Sequence, residues 1–363
     1  MRLARQLTGY CLLSLTAHVI HDAYGLILQM GSRHEDNVRK QLIIGVSISV
    51  FLLVIVFKNI EFDKFWQALL AANYWYLLPT VLLTFACMWI RAMRWQLLFE
   101  PIKKIGIHAL FSATMIGFMA NNLLPARLGE FVRAYVIGRQ EKVAKTASFG
   151  TIVVERIFDG LVLLSFLIIS FVTNTTLPAY IVYISYLLGA VYVFALFFLF
   201  YLVIRPARAL TILDRLMRLV SNRLAQRVGV VIDSFIDGLQ ILRQGPRMIG
   251  VLAFSFLLWL VNGLSIYIAL LAFNINLPFV ASLLVMAITG FGVTIPSSPG
   301  FVGTFHASCV IGLALFSISQ TDALSFAIVY HASQFIPITL VGLLYLWMDH
   351  LSLSDIRQVD AIS

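Results

Sequence analysis

Six ionisable residues sit close together in two otherwise apolar stretches of the 363-residue sequence. The first stretch, NNLLPARLGEFVR, places Arg127, Glu130 and Arg133 at spacings of three; the second, VVERIFD, carries Glu155, Arg156 and Asp159. On a helix starting near Pro125 the first three share a face. Glu155 and Asp159 also share a face, and Arg156 is three residues from Asp159. A charge at hydrocarbon depth costs about 2.5–3.5 kcal/mol even on lenient scales, so each of the six must be paired or face water. Two arrangements meet that demand. One is a closed salt-bridge cluster that fixes neighbouring helices; the other is a polar cavity in which arginines meet an anionic headgroup while the acids compensate charge or carry protons.

A second kind of chemistry is written in SSPGFVGTF, where Ser298 can cap a helix that has Pro299 at its first position. The amides from Gly300 to Thr304, with the positive end of the helix dipole, would then form an anion site without a charged side chain. Gly300 and Gly303 would let a phosphate approach the backbone. The alternative is that the glycines only permit tight packing in a turn. His306 and His331 lie in apolar segments without a second His, Cys or carboxylate at metal spacing. No Walker A, G-x-S-x-G or H-E-x-x-H pattern is present, so no metal, cofactor, catalytic residue or ATP-driven step is expected.

The elements that must position these residues are membrane helices. The chain is 60% hydrophobic and 12% charged with a mean hydropathy of +0.92, against about 25% charged in soluble domains. The 74 positions from Met248 to Thr321 contain no Asp, Glu, Lys or Arg. An all-α polytopic membrane protein follows, with spans expected at 41–57, 75–97, 147–173, 178–204, 248–273 and 322–348. Segments 105–138 and 278–318 each read as two half-length apolar arms broken by Pro, Gly and polar residues, the pattern of a re-entrant hairpin.

Eight arginines in 205–247 mark that loop as cytoplasmic, while the uncharged TNTTLP and NINLP connections mark the outer side. Within the loop, Leu213, Leu216, Val220, Leu224, Ile232, Phe235, Leu239 and Leu242 at helical spacing read as amphipathic helices on the headgroup layer, or else as a solvated connector. The first hairpin is flanked by Arg94, Lys103, Lys104, Arg139, Lys142 and Lys145 and should open to the cytoplasm; the second, between NINLP and SQTDA, should open outward. Residues 41–173 and 174–348 would thus be two inverted membrane repeats, an arrangement typical of secondary transporters, followed by a cytoplasmic tail at 349–363. Residues 1–40 read as a signal segment, a weak extra span, or, with a translation start at Met30, a short polar leader from Met30 to Lys40. The net charge of +9 suits positive-inside retention in a cell membrane, and with no basic stripe interleaved with aromatics outside the membrane, nucleic acid is not an expected partner. The three cysteines sit in apolar runs and suggest no disulfide framework. No oligomeric state is indicated.

Taken together, LLPARLGEFVR, VVERIFDGLVLL and IPSSPGFVGTF resemble the flippase-like membrane region of bacterial lysylphosphatidylglycerol synthases over roughly residues 41 to 348. Pro125, Arg127, Gly129, Glu130 and Arg133 match one motif of that family, Glu155, Arg156 and Asp159 a second, and Pro299, Gly300 and Gly303 a third. The sequence departs from many relatives after Pro-Gly, reading Phe301 and then Thr304-Phe305-His306. It ends without the soluble aminoacyl-transfer domain of the full synthases, so lysyl-lipid synthesis by this chain is not expected. The resemblance implies a lipid transporter of flippase type whose partners are anionic membrane lipids, or a transferase or accessory subunit working beside a synthase. The opposite charge flanks generate a topological prediction. Single cysteines near Pro125 and near Pro299 should label from opposite sides of the membrane, and labelling of both from one side would remove the inverted-repeat argument.

Overall fold

The structure, a computed structural model, describes residues 33–58, 60–124, 127–172, 179–208, 211, 231–295 and 297–351. The described residues form helices and no strand. They are α1 (Arg33–Phe57), α2 (Phe62–Ala71), α3 (Leu77–Phe99), α4 (Ile107–Leu123), α5 (Gly129–Glu141), α6 (Lys145–Val172), α7 (Ala179–Ile204), α8 (Gly245–Ala272), α9 (Phe279–Gly292), α10 (Thr304–Ala314) and α11 (Gln320–Met348). Tyr74–Phe99, Val182–Ile204, Gly245–Ala272 and Gln320–Met348 are long and apolar enough to cross a membrane. At 28 residues α6 is also long enough, about 42 Å at the helical rise, and is set apart only by the charges at its middle.

Local chemistry explains where these helices start and stop. Asn73 accepts from the amide of Trp75 and Ser319 from that of Asp322, opening the turn before α3 and the helix α11. Proline sits in the first turn of α8, where its missing N–H costs nothing. The arms of both expected hairpins correspond to the separate helices α4 and α5 and the separate helices α9 and α10. Pro125 and Pro296 lie outside the described residues, as do 1–32, where the signal-segment and extra-span readings fall; of the polar leader expected at Met30 to Lys40, residues 33–40 form the start of α1.

α3 and α8 pack along each other at the centre of the molecule. Around that pair the two halves repeat one pattern: α4 lies against α11 as α9 lies against α6, and α5 packs on α6 as α10 packs on α11. Close approach is built with glycine. A Cβ on Gly129 of α5 would lie 2.1 Å from the Gly117 carbonyl oxygen of α4, and the Gly129 amide donates to Asn121 Oδ1 at 2.8 Å. That contact sets where α5, and with it Arg133, meets the rest of the bundle.

Two features differ from expectation. The helix α2 is new; it buries Phe65 against Val56 and Leu324 while Phe62, Trp66 and Leu70 stay exposed at a spacing of four. Residues 231–242 of the basic loop do not lie on a headgroup layer throughout: Ile236, Leu239, Ile241 and Leu242 are buried in protein, and Gly238 backs onto Gly150 and the Ala147 carbonyl of α6. The stripe from Leu213 to Leu224 falls outside the described residues. Glycine packing yields a direct test. Gly129→Ala should destabilise the protein in detergent by about 1–3 kcal/mol, the usual cost of overpacking. Gly189→Ala, with nothing within 4 Å of its added Cβ, should leave the melting temperature unchanged or slightly raised.

Candidate functional site

The middle of α6 turns Glu155 and Asp159 toward α3, and α3 answers with Arg91 and Arg94. Arg94 grips Asp159 with two nitrogens, Nη1 to Oδ1 at 2.6 Å and Nη2 to Oδ2 at 3.3 Å, and its Nη1 also donates to Ser255 Oγ of α8 at 2.7 Å. Trp259 of α8 donates its indole N–H to Asp159 Oδ1 at 2.9 Å. Arg133 of α5 makes a second fork on Glu155, at 3.1 and 3.2 Å, and lies 4.0 Å over the ring of Trp95. Arg91 reaches Glu155 at 3.0 Å and Asp159 at 3.3 Å. Arg156 pairs with Glu155 and, at 3.2 Å, with Asp159. Glu155 Oε1 therefore serves four guanidinium groups at once. Planar guanidinium forks suit such crowding better than ammonium groups would.

Burial is nearly complete. Glu155 and the Arg94 side chain are fully buried, while the Arg156 side chain remains 36% exposed. Four arginines share two carboxylates, so the network carries an excess of two positive charges. The Nε–H groups of all four, and of Arg127, are buried without a hydrogen-bond partner among the described residues. Helix α5 begins only at Gly129, and Arg127 precedes it with a φ of 56°. The expected shared face of Arg127, Glu130 and Arg133 is therefore not formed: the chain has not yet become helical at Arg127. Arg127 instead donates to the Val293 carbonyl at the end of α9 and lies 5.1 Å over the ring of Phe301. Glu130 accepts from Asn121 at 3.4 Å. Tyr192 of α7 packs on Gly160 beside this region.

The second break corrects the expected helix start. Pro299 opens a single 3-10 turn, Pro299–Phe301, and the α-helix starts five residues later at Thr304, with Gly303 as its N-cap. Ser298 makes no capping bond; its hydroxyl faces the Val302 carbonyl at 3.1 Å, and its amide donates to Ser49 Oγ of α1 at 2.9 Å. Gly300 and Gly303 have φ of 70° and 95°, which only glycine adopts freely. A Cβ on Gly303 would meet the Ser49 carbonyl at 2.7 Å, and one on Gly300 would meet the Phe335 ring at 2.6 Å. Both glycines thus serve close packing, and the Thr304 hydroxyl faces the Phe301 carbonyl at 3.2 Å.

Arg91 and Arg94 are the residues that sequence reasoning missed. Their signal was available: RAMR interrupts an otherwise apolar span at a spacing of three. Arg94 counted instead as a cytoplasmic flank of the first hairpin, which its complete burial contradicts, whereas Lys103 and Lys104 are exposed. Likewise, His306 and His331 are not isolated, for their rings lie 5.0 Å apart. Among the described residues no three His, Cys, Asp or Glu side chains form a group able to hold a metal ion. The network predicts an order of stabilities. Glu155→Gln or Arg94→Ala should cost about 3–5 kcal/mol, the effect of leaving a buried charge unpaired. Arg156→Ala should cost clearly less because its side chain keeps access to solvent, and thermal unfolding in detergent would reveal the ranking.

Comparison with known proteins agrees with a membrane protein. A membrane protein of Methanothermobacter thermautotrophicus described as UPF0104 is 25% identical over 321 residues, covering 83% of this chain and 92% of the relative. A UPF0104 membrane protein of Methanocaldococcus jannaschii is 24% identical over 224 residues, covering 61% of this chain and 90% of the relative. The glycosyltransferase AglD of Haloferax volcanii is 24% identical over 286 residues, 70% of this chain but 45% of that relative. No solved structure matches the chain. The family described as the lysylphosphatidylglycerol synthase TM region matches residues 42–342, and this multi-pass membrane protein belongs to that family.

Proposed function

We propose that the protein is a lipid transporter of flippase type, moving an anionic phospholipid or a polyprenyl-phosphate-linked headgroup between leaflets of the cell membrane. One observation carries this reading: four arginines share the carboxylates of Glu155 and Asp159, a surplus of positive charge that nearby Glu130 offsets only in part. Isolated positive charge in a low-dielectric region is costly, and an anionic headgroup is the complement that a membrane supplies. Arg156, the partly exposed member, is the natural first contact. Arg127 and Glu130, both half-buried at the first break, extend the polar surface toward the second. Arg91, Arg94 and Arg133 are fully engaged by Glu155 and Asp159 and hold the arrangement together.

The repeated packing of the two halves supports an inverted-repeat transporter, with α4–α5 and α9–α10 as re-entrant hairpins beside six spans. The basic residues of 205–247 support a cytoplasmic position for that loop. The two breaks meet through Arg127 and the Val293 carbonyl, as broken helices do at the substrate site of transporters. The secondary roles expected of Ser298, Gly300, Gly303 and Thr304 have weaker support than the arginines, because the two glycines are filled against neighbouring atoms. Similarity to a relative named as a glycosyltransferase favours a second reading, in which the chain assists transfer chemistry on lipid-linked sugars.

Reconstitution into vesicles with labelled anionic lipids separates movement from chemistry. Translocation without change in the lipid is expected; modified lipid without translocation would favour the second reading. Arg156→Lys keeps the charge but loses the planar fork that grips phosphate in two places. It should reduce translocation about tenfold, the loss of roughly 1.4 kcal/mol, while leaving the melting temperature nearly unchanged. Parallel losses of stability and transport would instead make Arg156 a structural member of the network.

A further inference from the structure

The end of the second break holds an arrangement that the arginine network does not use. The Gly303 amide donates to Nδ1 of His306, in the first turn of α10, at 3.4 Å. The His306 ring lies 5.0 Å from that of His331 on α11, and Phe305 stacks on His331 at 4.7 Å. His331 in turn lies beside the backbone of Gly300. His306 is 6% exposed. One imidazole thus holds Gly303, and its neighbour lies beside Gly300, the other positive-φ glycine of the same break. The two rings sit on α10 and α11, the helix pair that packs as α5 and α6 do, where the first half places Arg133 against Glu155.

A nitrogen that accepts a hydrogen bond carries no proton, so the neutral His306 ring keeps its proton on Nε2. A proton added from water to the Nδ1 lone pair would turn it into an N–H pointing at the N–H of Gly303. It would also put a cation at the positive end of α10. Both effects oppose the present contact, so the ring or the backbone of 300–303 must move. Gly303 rests on Ser49 of α1, and Phe301, two residues earlier, lies under the Arg127 guanidinium. Movement there reaches the arginine that joins the two breaks.

Few other titratable groups face the pair. α9 and residues 43–57 of α1 have none, α4 has only His108 at its far end, and α10 adds Cys309. α11 adds Tyr330 next to His331, with Asp322 nine positions earlier at the helix start. Beside α2, Glu61 and Lys64 pair with each other at 2.8 Å, and Asp63 is exposed. Arg127 is the cation that reaches the break from the first half.

We propose that His306 and His331 form a proton-binding site whose occupation opens the break between α9 and α10 and, through Arg127, couples proton movement to the arginine site. The coupling to transport rests on the function proposed above; the proton-dependent opening does not. Val302, 37% exposed in the break, is the reporter. Labelling of Val302→Cys by a maleimide, divided by that of Asp63→Cys at each pH to remove thiol ionisation, should rise about tenfold as the pH falls from about 8 to about 4, a window that extends below the range of an exposed imidazole. His306→Asn offers a carbonyl that accepts from Gly303 without titrating, so the profile should become flat while the protein stays folded. His331→Gln should shift the profile. In vesicles holding a labelled anionic phospholipid, an imposed proton gradient should accelerate translocation by the unaltered protein and not by His306→Asn. Labelling that rises equally in His306→Asn and His331→Gln, or that does not change with pH, would overturn the proposal even if lipid moved. Labelling that titrates through His306 in a protein that moves no lipid would uphold the site and remove the transport reading.

Discussion

Two carboxylates at the middle of α6 organise the first half of this molecule. Glu155 and Asp159 are one helical turn apart, and between them they bind arginines from α3, α5 and α6 itself, with Ser255 and Trp259 of α8 closing the far side. Paired charges of this kind contribute little net stability when compared with apolar packing, yet each becomes expensive if its partner is lost. Their main effect is on register. A slide of α3 by one turn relative to α6 would separate Arg91 and Arg94 from both acids, and no apolar contact discriminates between registers so sharply. Glycine completes the alignment, because the Gly117 and Gly129 backbones touch and so fix the height at which Arg133 enters.

The two halves share a packing pattern but not a chemistry. Around α3 and α8 the helices of each half meet their counterparts in the same order, yet the first half surrounds its broken pair with ions and the second surrounds its own with aromatic rings and two histidines. Phe326 stacks on Tyr330, and Phe305 stacks on His331. Polar contacts link the two breaks directly: Arg127 on the Val293 carbonyl, Asn122 on the Phe335 carbonyl and Thr339 hydroxyl, and Gly300 against the Asn122 carbonyl. A surplus of positive charge on one side of that link and a neutral aromatic environment on the other give the molecule a polarity across its breaks.

Much of the helical framework was legible in one dimension. The six long helices lie within a few residues of the expected spans except at the start of α1, because apolar length and the absence of charge are properties of the chain itself. The helix α2 escaped notice because ten residues are too few to cross a bilayer, and Phe62, Trp66 and Leu70 remain exposed while Phe65 is buried. The residues 231–242 carry an apolar stripe that suits lipid and protein equally, and Gly238 against Gly150 decided for protein.

The sequence by itself determined that Arg127, Arg133, Glu155, Arg156 and Asp159 had to be satisfied inside an apolar bundle, since a lone charge in hydrocarbon is penalised whatever the fold. It also determined that the chain would break at NNLLPAR and at SSPGFVG, where Pro and Gly interrupt apolar runs. Only the tertiary structure decided the partners. Arg91 and Arg94 lie more than sixty positions from the acids they serve, and His306 lies 25 positions from His331, a spacing at which periodicity carries no information. Such pairs form because helices distant in the chain pack side by side, and in a low-dielectric interior the geometry of that packing selects which charges can meet.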